Sequence, residues 1–342
     1  MGVLAFDLSS PGSGYATAPF GAFGNITMQN QSKVAIGSAQ GGGNMVIRGG
    51  RIVVDNSLIS SANYRSVAAQ AGGNISVQAD SLMVENAGQI IASTSGMGSA
   101  GSVIVNVNSL IDLKGGAEIS SNSSGLFLGA GDGGNVTITC NGNIDLSGGS
   151  KITISSVASF AGTVRINGGG ILSLDEGSSV SASTALGGAD IMLNVGSLVY
   201  LLDSQISVTT KAAYGGNIKI DPQFVVLDDS SIRANALRGL GGEITISADD
   251  VLYEDSLAEA TGAINTSAPV LNLSGSLIPL TGVLVSDQKR LREACAESIG
   301  HEFSTFTVVG RGGTETAPDE LQPDFGMSES PLPQGPVPKP SP

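Results

Sequence analysis

Apolar residues arrive along this chain in short pulses that recur as a three-part unit, and residues 215–246 show the unit most completely. A glycine pair opens the unit, and an alternating strand follows with Ile218 and Ile220 on one side. A second apolar run covers 224–227, and a third short strand surrounds Ile232 after a polar bend. Runs of three to five residues between glycines and polar bends are typical of short β-strands.

The same unit recurs from about residue 24 to residue 280, with a period that drifts between 26 and 33 residues. The first strand of each copy carries two inward candidates: Ile26/Met28, Met45/Ile47, Ile75/Val77, Val103/Val105, Val136/Ile138, Val164/Ile166, Ile191/Leu193, Ile218/Ile220 and Ile244/Ile246. The second strand carries Leu82/Val84, Ile111/Leu113, Ile144/Leu146, Leu172/Leu174 and Phe224/Val226. Six residues later comes a third apolar position, at Ile90, Ile119, Ile152, Val180 and Ile232, and Leu58 and Ile206 fit after a small register adjustment.

Three short strands per repeat predict an all-β fold, a right-handed parallel β-helix (β-solenoid) of about nine turns. A single unit cannot bury its apolar face, whereas stacked copies pair strand on strand without free internal edges. An antiparallel sandwich, the competing all-β fold, needs longer strands and regularly placed hairpin dipeptides. At roughly 4.8 Å per turn, nine turns give a rod about 40–45 Å long.

Asparagines recur just before the first inward residue, at Asn44, Asn74, Asn135 and Asn217. Stacked asparagines can hydrogen-bond from turn to turn as a ladder. The preference of asparagine for turns explains the same positions equally well, so the sequence leaves both explanations open.

The composition fits short strands and excludes some partners. Among 342 residues there are 49 glycines and no tryptophan, and 13% of the residues are charged, about half the usual share. Hydrophobic residues still make up 41%, so the composition does not predict disorder. The net charge of −14 does not favour binding to nucleic acid or anionic lipid, which are themselves negatively charged. No apolar run approaches the roughly 18 residues of a membrane helix, so no membrane span is predicted.

Both ends of the chain depart from the repeat. Residues 1–23 predict an irregular N-terminal edge, and without a positive segment they do not form a signal peptide. We therefore expect either a cytosolic protein or a chain that lacks its true beginning. Residues 281–313 predict a cap, with an amphipathic helix over 287–299 and a strand over 303–310. Residues 314–342, with eight prolines, predict a disordered acidic tail.

Metal-dependent and histidine-dependent chemistry finds little support in the sequence. His301 is the only histidine, and we interpret it as an exposed bystander because no nucleophile is indicated near it. Cys140 and Cys295 make neither a disulfide framework nor a metal site. If the repeats stack, the two cysteines also lie too far apart for a bridge. The sequence thus predicts no metal, no cofactor and no catalytic residue.

Acidic pairs keep one enzymatic alternative open, because parallel β-helices also serve as scaffolds for polysaccharide lyases and glycosidases. The pairs are Asp175/Glu176, Asp228/Asp229, Asp249/Asp250 and Glu254/Asp255. A sugar-cleaving groove would stack carboxylates on one face in consecutive turns. The position after the second strand is instead mixed, and its residues are Asp55, Glu85, Lys114, Ser147 and Asp175. We therefore interpret the acidic pairs as solvated bends.

The most distinctive motifs lie in the C-terminal third. DPQFVVLD (221–228), IRANA (232–236) and the following GGEITI resemble the last repeats of filamentous haemagglutinin-like exoproteins. SGSLIPL (274–280), LREAC (291–295) and FTVVGRGG (306–313) are similar to the C-terminal end of that family. RGGRIVVDNSLISS (48–61) is compatible but less distinctive. The resemblance covers nearly the whole chain and is specific from about 215 to 313.

This resemblance implies a structural and adhesive β-helix segment of a secreted bacterial surface exoprotein, not an enzyme. It implies an extracellular or cell-surface location, and export through an outer-membrane transporter of the two-partner secretion type. Glycans or proteins on host or neighbouring cells are the implied ligands. Such proteins begin with a signal peptide and a secretion domain, so we expect this chain to be the C-terminal portion of a longer product or the product of a truncated gene.

Two alternatives stay open beside the adhesive rod. One is a carbohydrate-active β-helix enzyme, a polysaccharide lyase or a glycosidase. The other gives residues 281–313 a secretion or anchoring role, with the rod as a spacer.

Overall fold

The computed structural model describes residues 23–38, 43–64, 71–126, 129–211, 215–238 and 241–272. The described residues form 25 β-strands and no helix. The chain divides into two compact units, Met1–Ile278 and Pro279–Pro342, and every described residue belongs to the first unit.

The strands pair in parallel into two sheets, sheet A with 16 strands and sheet B with nine. In chain order they are β1 (Ile26–Met28), β2 (Lys33–Ser38), β3 (Met45–Asp55), β4 (Leu58–Asn63), β5 (Ile75–Glu85), β6 (Gln89–Thr94), β7 (Val103–Lys114), β8 (Glu118–Ser123), β9 (Val136–Cys140), β10 (Asn143–Leu146), β11 (Lys151–Ser156), β12 (Thr163–Gly168), β13 (Ile171–Leu174), β14 (Ser179–Thr184), β15 (Asp190–Val195), β16 (Leu198–Leu202), β17 (Gln205–Thr210), β18 (Ile218–Asp221), β19 (Phe224–Asp228), β20 (Ser231–Ala236), β21 (Ile244–Ile246), β22 (Asp250–Glu254), β23 (Leu257–Ala260), β24 (Ile264–Thr266) and β25 (Val270–Asn272).

Sheet B consists of the third strand of every turn, and sheet A consists of the first and second strands. In β3, β5 and β7 the first and second strands form one strand of 11 or 12 residues, longer than the three to five residues predicted. Above β7 they separate, so that β7 pairs with both β9 and β10. At this first open corner, Gly142 lies against the carbonyl oxygen of Ser109, where a Cβ atom would overlap. Glycine permits that close approach.

The core consists of aliphatic side chains stacked in rows, turn upon turn. One row in sheet B is in register through seven strands: Ile59, Ile90, Ile119, Ile152, Val180, Ile206 and Ile232. All seven side chains are fully buried. Alternate residues of a strand point to opposite faces, so the alternation in the sequence becomes an apolar interior and a polar exterior. Burying each such side chain contributes about 1.5–3 kcal/mol.

The first strand, β1, has a different place from the predicted one. Ile26 pairs with Ile52, and Met28 pairs with Val54, in the second half of β3. Ile26 and Met28 therefore hold second-strand positions, and their assignment to the first-strand series is wrong. The glycine before β1 suggested a first strand, but glycines also precede second strands. Gly24 lies at such a corner, where its carbonyl oxygen accepts a hydrogen bond from the N–H of Gly50 in the next turn.

Two other predicted inward positions are also wrong by one residue. In β4 the buried residue is Ile59, whereas Leu58 is only half-buried. In β19 the core receives Val225 and Leu227, and Phe224 is 37% exposed. Both strands offer apolar residues in two alternating phases, and a slip of one residue exchanges the faces. Pairing with the neighbouring turn selects the phase.

Tight turns from sheet A to sheet B explain the register adjustments in the repeat. Where five residues separate the second and third inward positions, one non-glycine residue has a positive φ: Asn56, Asp203, Asp229 or Asp255. Where six residues separate them, two consecutive residues have a positive φ: Asn30/Gln31, Asn86/Ala87, Gly115/Gly116, Gly148/Gly149 or Glu176/Gly177. The left-handed region thus absorbs the extra residue, and sheet B keeps its register. We call this side of the molecule, with these turn residues, the tight-turn edge.

The predicted fold class is confirmed. The described residues are all β, and their parallel strands stack as a β-solenoid of about eight turns, against about nine expected from the sequence. The N-terminal edge up to residue 22, the cap at 281–313 with its helix over 287–299, and the tail at 314–342 lie outside the described residues.

Candidate functional site

The outer surface of the solenoid consists of rows in which a residue of one turn lies beside its equivalent in the next. Adjacent strands in a sheet are about 4.7–4.9 Å apart. Any site on this surface is therefore part of a row, and the register decides which side chains meet.

Serines at the tight-turn edge form one such row. Ser150 is fully buried, and its hydroxyl donates to the carbonyl oxygen of Ser147 (2.7 Å) and accepts the N–H of Ala117 in the turn below (3.2 Å). A similar bond, but to the carbonyl oxygen two residues earlier and not three, is donated by the hydroxyls of Ser57, Ser204, Ser230 and Ser256. These hydroxyls are committed to the turns, so the row is structural.

The predicted asparagines contribute to a second row, and their side chains hydrogen-bond from turn to turn, although to the backbone and not to one another's side chains. The side-chain Oδ1 of each accepts a hydrogen bond from a backbone N–H of the next turn. The donors to Asn44, Asn74, Asn135 and Asn217 are, in that order, Asn74 (2.9 Å), Ser102 (2.8 Å), Thr163 (2.8 Å) and Glu243 (3.1 Å). The bonds run from backbone to side chain, so the ladder also satisfies N–H groups at the corner.

A third row gathers ionisable side chains on the outer face of the second strands. Asp112 on β7 and Asp145 on β10 are direct register partners. The Nζ atom of Lys114 lies 3.1 Å from Oε2 of Glu85 and 3.6 Å from Oδ2 of Asp112. Asp175 follows in the next turn, where its backbone N–H donates to the strand that carries Asp145. We call Glu85, Asp112, Lys114, Asp145 and Asp175 the carboxylate row.

Electrostatics divide the carboxylate row into two parts. The hydrogen bond that Lys114 donates to Glu85 raises the pKa of Lys114, and the charge of Asp112 adds to the effect although burial opposes it. Asp145 instead has acidic neighbours. Burial, and then the charges of Asp112 and Asp175, raise the pKa of the Asp145 carboxyl group. A carboxyl group with a raised pKa beside an ionised one is an arrangement that can serve acid–base chemistry.

The predicted acidic pairs lie in several different settings. Three of their members have a positive φ and are exposed at the tips of tight turns: Glu176, Asp229 and Asp255. Asp228 and Glu254 end neighbouring strands and are register partners. Asp249 precedes β22, and Asp250 is its first residue. Only Asp175 belongs to the carboxylate row, so the structure does not bring the predicted pairs together as one site.

Sequence reasoning missed Asp112 and Asp145. It followed the position after the second strand, and the structure does place Asp55, Glu85 and Lys114 there in register. The two missed aspartates lie within the second strand, between its two inward residues. That outward position was the available signal, because the inward residues on both sides had already been identified in the sequence.

Cys140 is a core residue. It is 1% exposed, its thiol donates to the carbonyl oxygen of Asn143 (3.4 Å), and burial raises the pKa of the thiol. Cys295 and His301 lie outside the described residues. Within the described ranges, no group of three or more His, Cys, Asp and Glu residues is placed to hold a metal ion. The same ranges contain no helix that is long and apolar enough to cross a membrane.

The loops that lead from sheet B back to sheet A form another edge, which we call the loop edge. These loops vary in length by several residues from turn to turn, whereas the tight turns differ by a single residue. Large apolar side chains are exposed along them, among them Leu126 and Leu237. The loop edge therefore differs in chemistry from both the serine row and the carboxylate row.

Comparisons with known proteins add no family assignment. No protein-family model, curated protein or solved structure matches this chain. The functional argument therefore rests on the geometry of the rows and edges.

Proposed function

We propose that this chain is a structural and adhesive rod, a β-solenoid segment of a secreted bacterial surface exoprotein of the filamentous haemagglutinin-like type, and not an enzyme. The observation that carries the proposal is the unbroken parallel stacking of sheet B from β2 to β23. The serine and asparagine rows tie each turn to the next by hydrogen bonds. A molecule built in this way is suited to carrying load along its axis and to presenting one surface many times.

Adhesion is the use that a repeated polar surface favours. Thr153, Ser181 and Ser207 are register partners on the outward face of sheet B, with strand spacing of about 4.8 Å. A ligand with repeated hydroxyl groups could bind several such positions at once, and many weak contacts then add up to a useful avidity. Cell-surface glycans have this chemistry, and they are the proposed ligands.

The C-terminal motifs support the secretory part of the proposal. Their resemblance to filamentous haemagglutinin-like exoproteins favours a cell-surface or extracellular location, with an outer-membrane two-partner-secretion transporter as the export partner. The test is made on the gene. We expect an in-frame signal peptide and secretion domain upstream of the Met1 codon, and a transporter gene nearby. A gene that starts at Met1 and has no transporter gene nearby would contradict this part.

The adhesive part is tested with the purified full chain on a glycan array and on immobilised cells. We expect binding that rises with the density of the protein. Replacing Ser181 and Ser207 together by alanine should weaken that binding by roughly tenfold or more, since several repeated contacts are lost. Asp229→Asn, on the tight-turn edge, is the matched control and should bind as the parent does. Binding no greater than that of an inert protein would refute adhesion.

Cleavage of polysaccharide is a second candidate, and the carboxylate row is the observation that favours it. Asp112 and Asp145 are register partners on adjacent strands, and retaining glycosidases likewise use two neighbouring carboxyl groups, roughly 5–5.5 Å apart. With its raised pKa, Asp145 would be the proton donor. Asp112, which forms an ion pair with Lys114, would be the second carboxyl group of the site.

This candidate is tested by measuring the release of reducing ends from neutral and acidic polysaccharides. If it is right, Asp145→Asn lowers the rate by about 10²–10⁴-fold, the usual contribution of a general acid. Asp229→Asn should then leave the rate unchanged. Absence of cleavage by the parent protein on every substrate would remove the candidate.

A further inference from the structure

Large apolar side chains form a stripe along the loop edge. Their exposed fractions are Tyr64 66%, Met97 40%, Leu126 81%, Val157 38%, Phe160 50%, Leu186 43% and Leu237 72%. Each follows a strand of sheet B, namely β4, β6, β8, β11, β14 or β20, so every turn from β4 to β20 except that of β17 contributes to the stripe. Contiguous exposed apolar surface marks interaction sites, whereas solitary exposed residues are ordinary. We call these seven residues the apolar stripe.

Bonds between successive loops hold the apolar stripe in place. The backbone N–H groups of Val157 and Leu186 donate to the carbonyl oxygens of Ser123 (3.1 Å) and Ser159 (3.3 Å) in the turns below. Leu237 is bonded to its preceding turn in the same way. Because these backbones are already ordered, a partner that covers the stripe would pay little additional conformational entropy.

The charge pattern selects a second copy of this chain as the partner. The protein carries a net charge of −14, and two copies repel one another wherever carboxylates face carboxylates. In the described loops from Tyr64 to Arg238, the one carboxylate is that of Asp132. It accepts hydrogen bonds from the hydroxyl of Ser159 and, at 3.3 Å, from the N–H of Phe160. A two-fold interface places the same surface on both sides, and the loop edge meets this requirement without uncompensated negative charge.

The order of the side chains fits a two-fold axis. Phe160 lies in the middle turn of the stripe, with three sheet B strands before β11 from β4 and three after it up to β20. In an antiparallel pair, Phe160 would meet its own copy, and Leu126 would meet Leu186. Tyr64 would then lie opposite Leu237, and Met97 would lie opposite the loop after β17, whose described residues hold no member of the stripe.

The size of the stripe agrees with a weak dimer. Fully burying an apolar side chain removes on the order of 60–120 Å² from water. The seven exposed fractions amount to about four fully exposed side chains, which gives on the order of 200–500 Å² per protomer, well below the roughly 800 Å² of a standard interface. Polar residues at the rim supply the remainder. We infer that the apolar stripe is the interface of an antiparallel homodimer whose two-fold axis passes beside Phe160. This inference does not depend on the adhesive role.

The first test measures the mass of the full chain in solution by sedimentation equilibrium. We expect a reversible dimer at micromolar protein concentration, as about 10⁻⁶ M corresponds to a modest interface. Phe160→Asp should raise the dissociation constant about 100-fold or more, because it places a charge at the centre of the interface. Ser183→Asp, on the exposed face of sheet B, is the matched control and should leave it unchanged. A parent protein that stays monomeric at about 100 μM would overturn the inference.

The second test decides the orientation by disulfide cross-linking in a Cys295→Ser background. Phe160→Cys should cross-link to itself under mild oxidation, and Ser183→Cys should not. A mixture of Leu126→Cys and Leu186→Cys chains should cross-link to each other more readily than either alone. Preferential self-linking of Leu126→Cys would indicate a parallel pair and overturn the antiparallel geometry. If a monomeric parent protein instead binds neutral phosphatidylcholine vesicles through Phe160, the stripe is a lipid contact and the dimer is refuted.

Discussion

The chain changes direction at both the tight-turn edge and the loop edge, but the two edges differ in how much their length varies and in their side chains. At the tight-turn edge, one or two left-handed residues make every described turn, and Ser150 and Ser230, which follow two of these turns, are buried and hydrogen-bonded. At the loop edge, the length varies and apolar side chains such as Leu126 and Phe160 are exposed. The tight-turn edge consists mainly of Asn, Asp, Gly and Ser residues, whereas the loop edge exposes apolar side chains to water.

The difference indicates that the tight-turn edge maintains the register of the solenoid, whereas the loop edge can carry functional surface. A slip at the tight-turn edge would turn the inward side chains of sheet B outward, so backbone geometry constrains its sequence strongly. At the loop edge, extra residues only lengthen a surface loop, which costs little. Functional surface can therefore vary at the loop edge while the rod stays intact. Three predictions test how strongly the tight-turn edge is constrained, and a fourth concerns the carboxylate row; they run from the largest expected effect to the smallest.

A methyl group at Gly88 should have the largest effect. A Cβ atom there would overlap the carbonyl oxygen of Val54 and lie 2.9 Å from that of Glu85. We expect Gly88→Ala to lower the free energy of unfolding by about 3 kcal/mol, the upper part of the range for overpacking. Gly116→Ala, where φ is 76° and the Cβ would meet no atom within 4 Å, should cost only about 1–2 kcal/mol of backbone strain. Urea denaturation followed by circular dichroism compares the two, and equal losses would count against the contact argument.

One inserted residue should distinguish the two turn forms. Glycine inserted after Asp203 reproduces the two-residue turn of Glu176/Gly177, so the free energy of unfolding should change by less than about 1 kcal/mol. Valine inserted at the same point should cost about 1–2 kcal/mol more, because it resists the left-handed region. The same valine after Leu186, on the loop edge, should have little effect. If both valine insertions cost the same, the proposed contrast between the edges is wrong.

Removing one buried hydroxyl should have a moderate effect. Ser150→Ala leaves the N–H of Ala117 and the carbonyl oxygen of Ser147 without the bonds that Ser150 makes. We expect a loss of about 1–2 kcal/mol in the free energy of unfolding. The exposed Ser183 gives a matched control, because Ser183→Ala should stay within about 0.5 kcal/mol of the parent. Identical denaturation midpoints for both variants would show that the serine row is dispensable.

The smallest effect concerns pH. The carboxyl group of Asp145 has a pKa above its ordinary value of 3.8 in the folded state, so the folded state binds the proton more tightly than the unfolded state. The stability that this group contributes is therefore greatest below the ordinary pKa and falls as the pH rises through the folded-state pKa. Asp145→Asn should remove this decline and stabilise the protein slightly near neutral pH.

Titration of the Asp145 carboxyl carbon by NMR measures the pKa directly. In Asp112→Asn, which removes one of the two acidic neighbours, the pKa of Asp145 should be lower than in the parent. An unchanged pKa in that variant would leave burial and the charge of Asp175 as the causes.

Much of the fold could be predicted from the sequence because each stacked turn buries apolar residues at equivalent positions. Rows such as Ile90, Ile119 and Ile152 are visible as recurring apolar positions, and the structure places them in register. Prediction failed where the local pattern had two solutions, as at Leu58 beside Ile59. Since alternation is satisfied by either phase, only the adjacent turn decides between them.

The candidate surfaces were less predictable than the core. Asp112 and Asp145 are 33 residues apart in the sequence, and they become neighbours only when the strands stack. The same holds for Leu126 and Phe160, which belong to loops of different length and sequence. A burial pattern constrains inward residues, but it places no demand on outward ones.

By itself, the sequence determined the class of fold, the repeating three-strand unit and the identity of most core residues. These features follow from burial, because buried apolar side chains recur at regular positions along the chain. The tertiary structure decided the phase of ambiguous strands, the left-handed turns that absorb an extra residue, and the hydrogen bonds of the asparagine and serine rows. It also decided which outward side chains meet in the carboxylate row and the apolar stripe. These features depend on contacts between successive turns, and contacts of that range are fixed only when the turns stack.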